Sequence, residues 1–286
     1  MDWAGAKYTW PNASVSRFVD TRAHHWHVQR AGSGPGILLL HGAGGATHSW
    51  RGMFQPLAAE AEVFALDLPG HGFTRRRAQS RTRLPDMAED IAALLAQEGF
   101  TPQLIIGHSA GAAIALQMAR SGRAPQPILA LNPALMPFQG LAGVLFPPLA
   151  KMLALNPLAA PFFARTANSD TAVRNLIDST GSVLDDQGLA LYRQLIGTPT
   201  HVDGALRMMA RWNLNPLIDA LPGIDVPVTL VLGENDTTVP PETTPTQAGR
   251  LPRADLIEVP RLGHLMHEEE PTRFVDLALE RLGQGD

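Results

Sequence analysis

Leu104-Ile105-Ile106-Gly107-His108-Ser109-Ala110-Gly111 joins a β-branched apolar run to a Gly-x-Ser-x-Gly turn, and Ala112 to Arg120 continue it as a helix. A strand before that motif and a helix after it are the setting in which it forms a nucleophile turn. Glycines at 107 and 111 leave room where any Cβ would collide with the neighbouring strand or helix, and the serine between them takes a strained backbone. The turn lifts the Ser109 hydroxyl out of the sheet, and the new helix directs its first N–H groups at whatever the serine attacks. A plain strand–helix turn with a capping serine has the same pattern, so the rest of the chain must choose between the two.

Upstream, the buried-strand run Ile37 to Leu40 opens into His41-Gly42-Ala43-Gly44-Gly45. This glycine-rich loop has neither Gly-Lys-Ser/Thr nor a G-x-G-x-x-G spacing, which argues against a phosphate cradle. It fits an oxyanion hole, the Ala43 N–H pairing with the N–H of Ala110 just after the serine. Gly42 and His108 flank these donors and are read as substrate-binding positions. Downstream, Val226 to Leu232 is a strand ending in Gly233-Glu234-Asn235-Asp236, and the strand Leu256 to Val259 leads into Arg261-Leu262-Gly263-His264. Ser109, Asp236 and His264 thus each follow a strand, in that chain order. Carboxyl ends of parallel strands share one edge of a sheet, so turns distant in sequence meet there. A free hydroxyl is a poor nucleophile at neutral pH. His264 is positioned to take its proton, and Asp236 to fix the imidazole tautomer. No Asp follows the strand ending at Leu131, which removes the usual alternative acid. His267 competes for the base role, but its acidic neighbours Glu268 to Glu270 place it on the surface.

Arg17 to Asp20 and His25 to Arg30 read as two strands, and Val63 to Leu66 as another that leaves the sheet at Asp67-Leu68-Pro69-Gly70. His24, His25 and His27 invite a metal reading. Only two of them share a strand face and no nearby carboxylate completes a site, so a solvated face is expected and no metal is assigned. Arg75, Arg76, Arg77, Arg81 and Arg83 form a basic block. It reads as a solvated loop or, more sharply, as an anion-binding lip beside the site. Leu84 to Gln97 has apolar residues at helical spacing.

At 286 residues, 45% hydrophobic and 17% charged, the chain suits a soluble globular protein with a large core. A net charge of −4 gives no global attraction to nucleic acid. There is no cysteine, no basic-then-apolar opening segment and no unbroken run of about twenty apolar residues. A cytoplasmic protein without a transmembrane segment is expected, and no cofactor is called for.

Between Leu131 and Val226 the strand–helix alternation lapses for roughly ninety residues, too long for a plain connection. This stretch reads as an inserted helical cap over residues 135–214, with core residues 1–134 and 215–286. Phe138, Phe146 and Met152 are its candidate substrate-lining side chains. A membrane-resting face is a further reading, weakened by the scarcity of basic residues before Arg165.

These motifs resemble the α/β-hydrolase superfamily across almost the whole chain. The resemblance implies a mostly parallel, twisted eight-stranded sheet flanked by helices, with a helical cap inserted. The finer sequence is similar to the magnesium-chelatase accessory proteins of bacteriochlorophyll biosynthesis. The likeness runs through HGAGGATHSWR (41–51), DLPGHGFT (67–74), GHSAGA (107–112), LNPALMPFQG (131–140), FPPLAKMLALNP (146–157) and LRMMARW (206–212). It implies a role near magnesium insertion into protoporphyrin IX. Ala43 departs from the Asn or Glu of haloalkane dehalogenases, and Ser109 from their Asp nucleophile, which disfavours dehalogenation. Two functions are expected. One is a serine hydrolase cleaving an ester or related acyl bond of a hydrophobic substrate, possible tetrapyrroles included. The other is a non-catalytic porphyrin-binding or chelatase-accessory protein, with Arg75, Arg76 and Arg77 near substrate carboxylates.

Overall fold

The computed structural model of the chain describes residues 1–78, 80–136, 156, 159–167 and 169–283. Its strands are β1 (Ser16–Asp20), β2 (His24–Ala31), β3 (Gly36–Leu40), β4 (Glu62–Leu66), β5 (Arg75–Arg76), β6 (Leu104–His108), β7 (Ile128–Leu131), β8 (Val228–Gly233) and β9 (Ala254–Val259). They form one sheet in the order β1-β2-β4-β3-β6-β7-β8-β9. From β4 to β9 every pairing is parallel, and β1 and β2 join the edge antiparallel. The two-residue β5 adds a ninth strand against the start of β2. It was not anticipated, because Arg75-Arg76 carries no apolar signal.

A parallel sheet is covered on both faces, so its strands are apolar on both sides. In β3, Leu38 and Leu40 pack with α3 (Leu84–Gln97) and α4 (Ala110–Arg120), through Met87, Ile91 and Leu116. Ile37 and Leu39 face the other way, toward α2 (Phe54–Glu60) and the last helix (Pro271–Gly283), through Phe54 and Phe274. This is why Ile37 to Leu40 shows no alternation. The sheet order reverses at β3, which has β4 on one side and β6 on the other. Such a reversal opens a crevice at the carboxyl edge. The loops after β3 and β6 both leave at that crevice.

The strand face expected to be solvated is covered instead. His27 lies among Trp3, Phe18 and Phe73, and its Nδ1 meets Asp67 Oδ2 at 2.8 Å. On the opposite face His24 Nε2 meets Asp90 of α3 at 3.0 Å. Gln29 donates to the Pro11 carbonyl and to Ser16 Oγ. Residues 1–15, which show no long periodic pattern, supply much of the cover. His25 alone of the three histidines stays partly exposed, stacked on Phe18.

Between β7 and β8 the chain leaves the sheet. The helices described there are Ala159–Thr166, Asp170–Asp178, Asp186–Ile196, Pro199–Arg211 and, on the way back to the sheet, Asn215–Ala220. Val173, Ile177, Leu191, Tyr192 and Leu195 of this insertion share a buried cluster with Trp10, Phe73 and Leu265. The insertion is therefore tied to the carboxyl edge of the sheet by apolar packing next to His264. No helix among the described residues is long and apolar enough to cross a membrane.

Candidate active site

Ser109 sits between β6 and α4 at φ 51°, ψ −111°. A non-glycine residue at positive φ is uncommon, and such strain persists only where the surroundings over-determine it. Here the flanking glycines enforce it. A Cβ on Gly107 would come 2.6 Å from the backbone of Ala112, and one on Gly111 would come 2.0 Å from the Leu40 carbonyl oxygen. Ser109 holds the N-cap position of α4, yet its side chain makes no capping bond. The capping-serine reading of the motif therefore fails, and the hydroxyl is left for other chemistry.

The turn after β8 and the turn after β9 bring an acid to a base. His264 Nδ1 lies 2.7 Å from Asp236 Oδ2, and both residues are buried. The other carboxylate oxygen, Asp236 Oδ1, accepts from the N–H groups of Thr238 and Val239 at 2.7 and 2.8 Å. Two backbone donors and one imidazole N–H thus set the orientation of this carboxylate. The His264 carbonyl is also fixed, accepting from His108 Nε2–H at 2.8 Å and from Asn132 Nδ2–H at 3.0 Å.

Asn132 directly follows the strand that ends at Leu131. It stands at φ 41°, and its amide links three loops. Its Oδ1 accepts from Gly233 N–H, while Nδ2 donates to the carbonyls of Gly263 and His264. An asparagine directly after a buried strand was the available signal, since Asn tolerates the left-handed region and carries both donor and acceptor.

The loop after β3 comes close to the serine. A Cβ on Gly42 would meet His108 Nδ1 at 2.8 Å and Ser109 Cβ at 3.1 Å, so only glycine fits there. Ala110 is buried at the start of α4, while Ala43 is exposed at the mouth of the site. Among the described residues no turn or side-chain bond takes the N–H of either. His41 pins this loop to the next one, its Nδ1–H donating to the Gly42 carbonyl and its Nε2 accepting from Leu68 N–H. His201, from the insertion, does the same from above. Its Nδ1 accepts from Gly72 N–H at 3.0 Å and its Nε2–H donates to the Gly44 carbonyl at 3.1 Å. Burial, reinforced by His41, lowers its pKa to about 4, consistent with that neutral tautomer.

Several expected placements change. His267 is not on the surface: its ring lies between Trp50 and His108, 4.7 and 4.5 Å from them, and among the described residues neither nitrogen finds a hydrogen-bond partner. Burial lowers it to about 3, so it packs as a neutral ring behind the site. The carboxyl of the adjacent Glu268 turns inward too, held by Arg51 and by the Tyr192 hydroxyl, and burial raises its pKa to about 7. Nor is the arginine block an open lip. Arg76 meets Asp203 of the insertion at 2.6 Å and Arg77 pairs with Asp20. Arg81 pairs with Asp90 and Glu89, and Arg83 with Asp86. Arg75 is exposed on β5. Arg76 and Arg77 dock elements of the fold onto one another, their acids lying 127 and 57 residues away, whereas Arg81 and Arg83 pair with acids of the adjoining helix. Phe138, Phe146 and Met152 lie outside the described residues.

A model of the alpha/beta hydrolase family matches residues 37–277, from β3 into the last helix. The chain belongs to that family. It is similar to the magnesium-chelatase 30 kDa subunit of Rhodobacter capsulatus, with 44% identity covering 94% of each chain. It is also similar to the pimeloyl-[acyl-carrier protein] methyl ester esterase of Aeromonas hydrophila, at 26% identity over 87% of this chain and 96% of the esterase. Among solved structures, an alpha/beta hydrolase fold protein from Burkholderia ambifaria aligns with a TM-score of 0.76 and 25% identity, over 93% of this chain and 97% of that one.

Proposed function

We propose that this alpha/beta hydrolase is a serine hydrolase that cleaves an ester or related acyl bond of a hydrophobic substrate. The observation that carries this reading is the 2.7 Å Asp236–His264 contact on the same sheet edge as a strained Ser109 whose hydroxyl does not cap its helix. In the proposed reaction His264 Nε2 takes the Ser109 proton as Oγ adds to the acyl carbon. The N–H groups of Ala43 and Ala110 receive the oxyanion. His264 then returns the proton to the leaving alkoxide, giving an acyl-serine and free alcohol. Water, deprotonated by the same imidazole, releases the acid and restores the serine. Residues 135–214 are assigned as the cap, and their apolar composition suits a hydrophobic substrate. The methyl ester esterase similarity supports ester chemistry.

The test is covalent labelling. A fluorophosphonate should modify the wild type and leave Ser109→Ala untouched, and a short-chain nitrophenyl ester should be turned over only by the wild type. Equal labelling of the two proteins would end the reading.

The magnesium-chelatase similarity favours a second reading, in which the protein assists a chelatase or holds a tetrapyrrole. On that reading Ser109→Ala retains any stimulation of chelation by a reconstituted chelatase and any saturable quenching of Trp fluorescence by protoporphyrin IX. If the serine chemistry is the physiological role, the variant loses function in that assay as well.

A further inference from the structure

We propose that the turn Thr180-Gly181-Ser182, which belongs to the helical insertion, is a positioning element for the base His264; the inference rests on the serine-hydrolase reading above. The Thr180 carbonyl accepts from His264 N–H at 3.1 Å and, more loosely, from Thr237 N–H at 3.5 Å, so one insertion oxygen touches the base and the residue after the acid. Ser182 Oγ, buried, accepts from Leu265 N–H at 2.8 Å. The Ser179 carbonyl accepts from Thr237 Oγ1 at 2.7 Å. Glu269 closes the arrangement from the core side, its two oxygens accepting from Gly263 N–H and from Val183 N–H of the insertion.

The contact is also tight in space. Gly181 stands at φ 77°, and a Cβ there would come 1.8 Å from the Asn235 carbonyl oxygen. A Cβ on Gly263 would come 2.3 Å from the backbone of Gly181. Glycine therefore faces glycine where the insertion meets the histidine turn, and each allows a backbone approach that a side chain would block. The backbone of His264 is bound on both sides: its N–H by the insertion, its carbonyl by His108 and Asn132 from the core. The imidazole keeps its contact with Asp236 only while that backbone is held. Lifting the segment between Asp178 and Asp185 as a lid would unseat the base, so this half of the insertion buttresses the site, and substrate enters elsewhere.

The experiment compares the full-length wild type with Ser182→Ala, Ser182→Thr, Gly181→Ala and the surface control Arg174→Ala. Three readouts are taken: the rate of fluorophosphonate labelling at Ser109, kcat and KM for a nitrophenyl ester, and the downfield proton resonance of the His264 Nδ1–H···Asp236 bond, assigned by its loss in His264→Ala. Ser182→Ala should slow labelling and lower kcat about tenfold with KM within twofold, and should shift or broaden the resonance, because a buried N–H loses its acceptor beside the base. Ser182→Thr keeps an acceptor oxygen and should restore all three. Gly181→Ala should be worse than Ser182→Ala, and Arg174→Ala should match the wild type. If Ser182→Ala loses only thermal stability, with labelling rate and resonance as in the wild type, the proposal is overturned, whether or not Gly181→Ala folds. A wild type that shows no labelling or turnover refutes the hydrolase reading alone. The resonance then decides the positioning claim by itself.

Discussion

Replacing Asp236 by Asn should disable the site through the proton on His264 rather than through the fold. Asp236 Oδ1 accepts from two backbone N–H groups at 2.7 and 2.8 Å, while Oδ2 faces His264 Nδ1. An asparagine must choose which end to turn toward the imidazole. Turning its NH2 toward Thr238 and Val239 would strand two N–H donors, at about 1–3 kcal/mol each. Keeping its oxygen there is thus favoured by at least about 2 kcal/mol, a factor of about 30. The NH2 then donates to His264 Nδ1 and drives the ring proton to Nε2, the nitrogen proposed to accept from Ser109. A base carrying its proton on that nitrogen cannot accept another without becoming imidazolium, with no carboxylate left to stabilise it. The expected loss in ester kcat is about 10⁴-fold, the scale of a wrong-tautomer triad. Since the amide refills the carboxylate's space and keeps its backbone bonds, the melting temperature should move by less than about 5 °C. Ester turnover, phosphonate labelling and a thermal melt on the same preparation measure all of this. Labelling within tenfold of the wild type by a folded variant would show that another group orients His264, and the tautomer argument would fall.

Burial holds His41, His48, His71, His108, His201 and His267 below their ordinary pKa. At these rings the unfolded chain binds more protons than the native one below about pH 6.5, and stability falls as pH drops, by up to about 1.4 kcal/mol per pH unit for each ring, with Glu268, raised to about 7 by burial, offsetting about one ring's share. A melting temperature that stays level from pH 7 to pH 5 would contradict this, and His267→Phe should flatten the decline by one ring's share. Asn132→Ala should lower ester kcat about tenfold by freeing one side of the His264 carbonyl. Asn132→Asp should be worse near neutral pH, because a carboxylate there faces the Gly263 and His264 carbonyls. Equal rates for Asn132→Ala and the wild type would show that His108 alone suffices to hold that carbonyl.

Much of the sheet and all three triad candidates were legible because the signals for them are local. Ile37 to Leu40 and Leu104 to Ile106 are short apolar runs that end in glycine turns, and a run apolar on both faces belongs inside a parallel sheet. Once the strands are parallel, Ser109, Asp236 and His264 need no long-range information to share an edge, since each simply follows its strand. The helix Leu84–Gln97 was readable for a similar reason, its apolar spacing lying within one element.

What stayed hidden depends on partners that local patterns do not name. His267 sits in an acidic run, yet Arg51, from the far end of the chain, neutralises Glu268 and lets the segment turn inward. Arg76 looks available until Asp203, more than a hundred residues later, lies opposite it. Gly181 belongs to a turn between two short helices, and nothing near it in sequence announces that Gly263 will press against it. The same logic separates the candidate site residues. Ser109 is oriented by the glycines on either side of it, so a motif captures it. His264 is oriented by Thr180, Asn132 and His108, none of them nearer than 84 residues, the separation of Thr180 and His264. A spacing pattern can therefore locate the base, but only the assembled insertion and core can orient it.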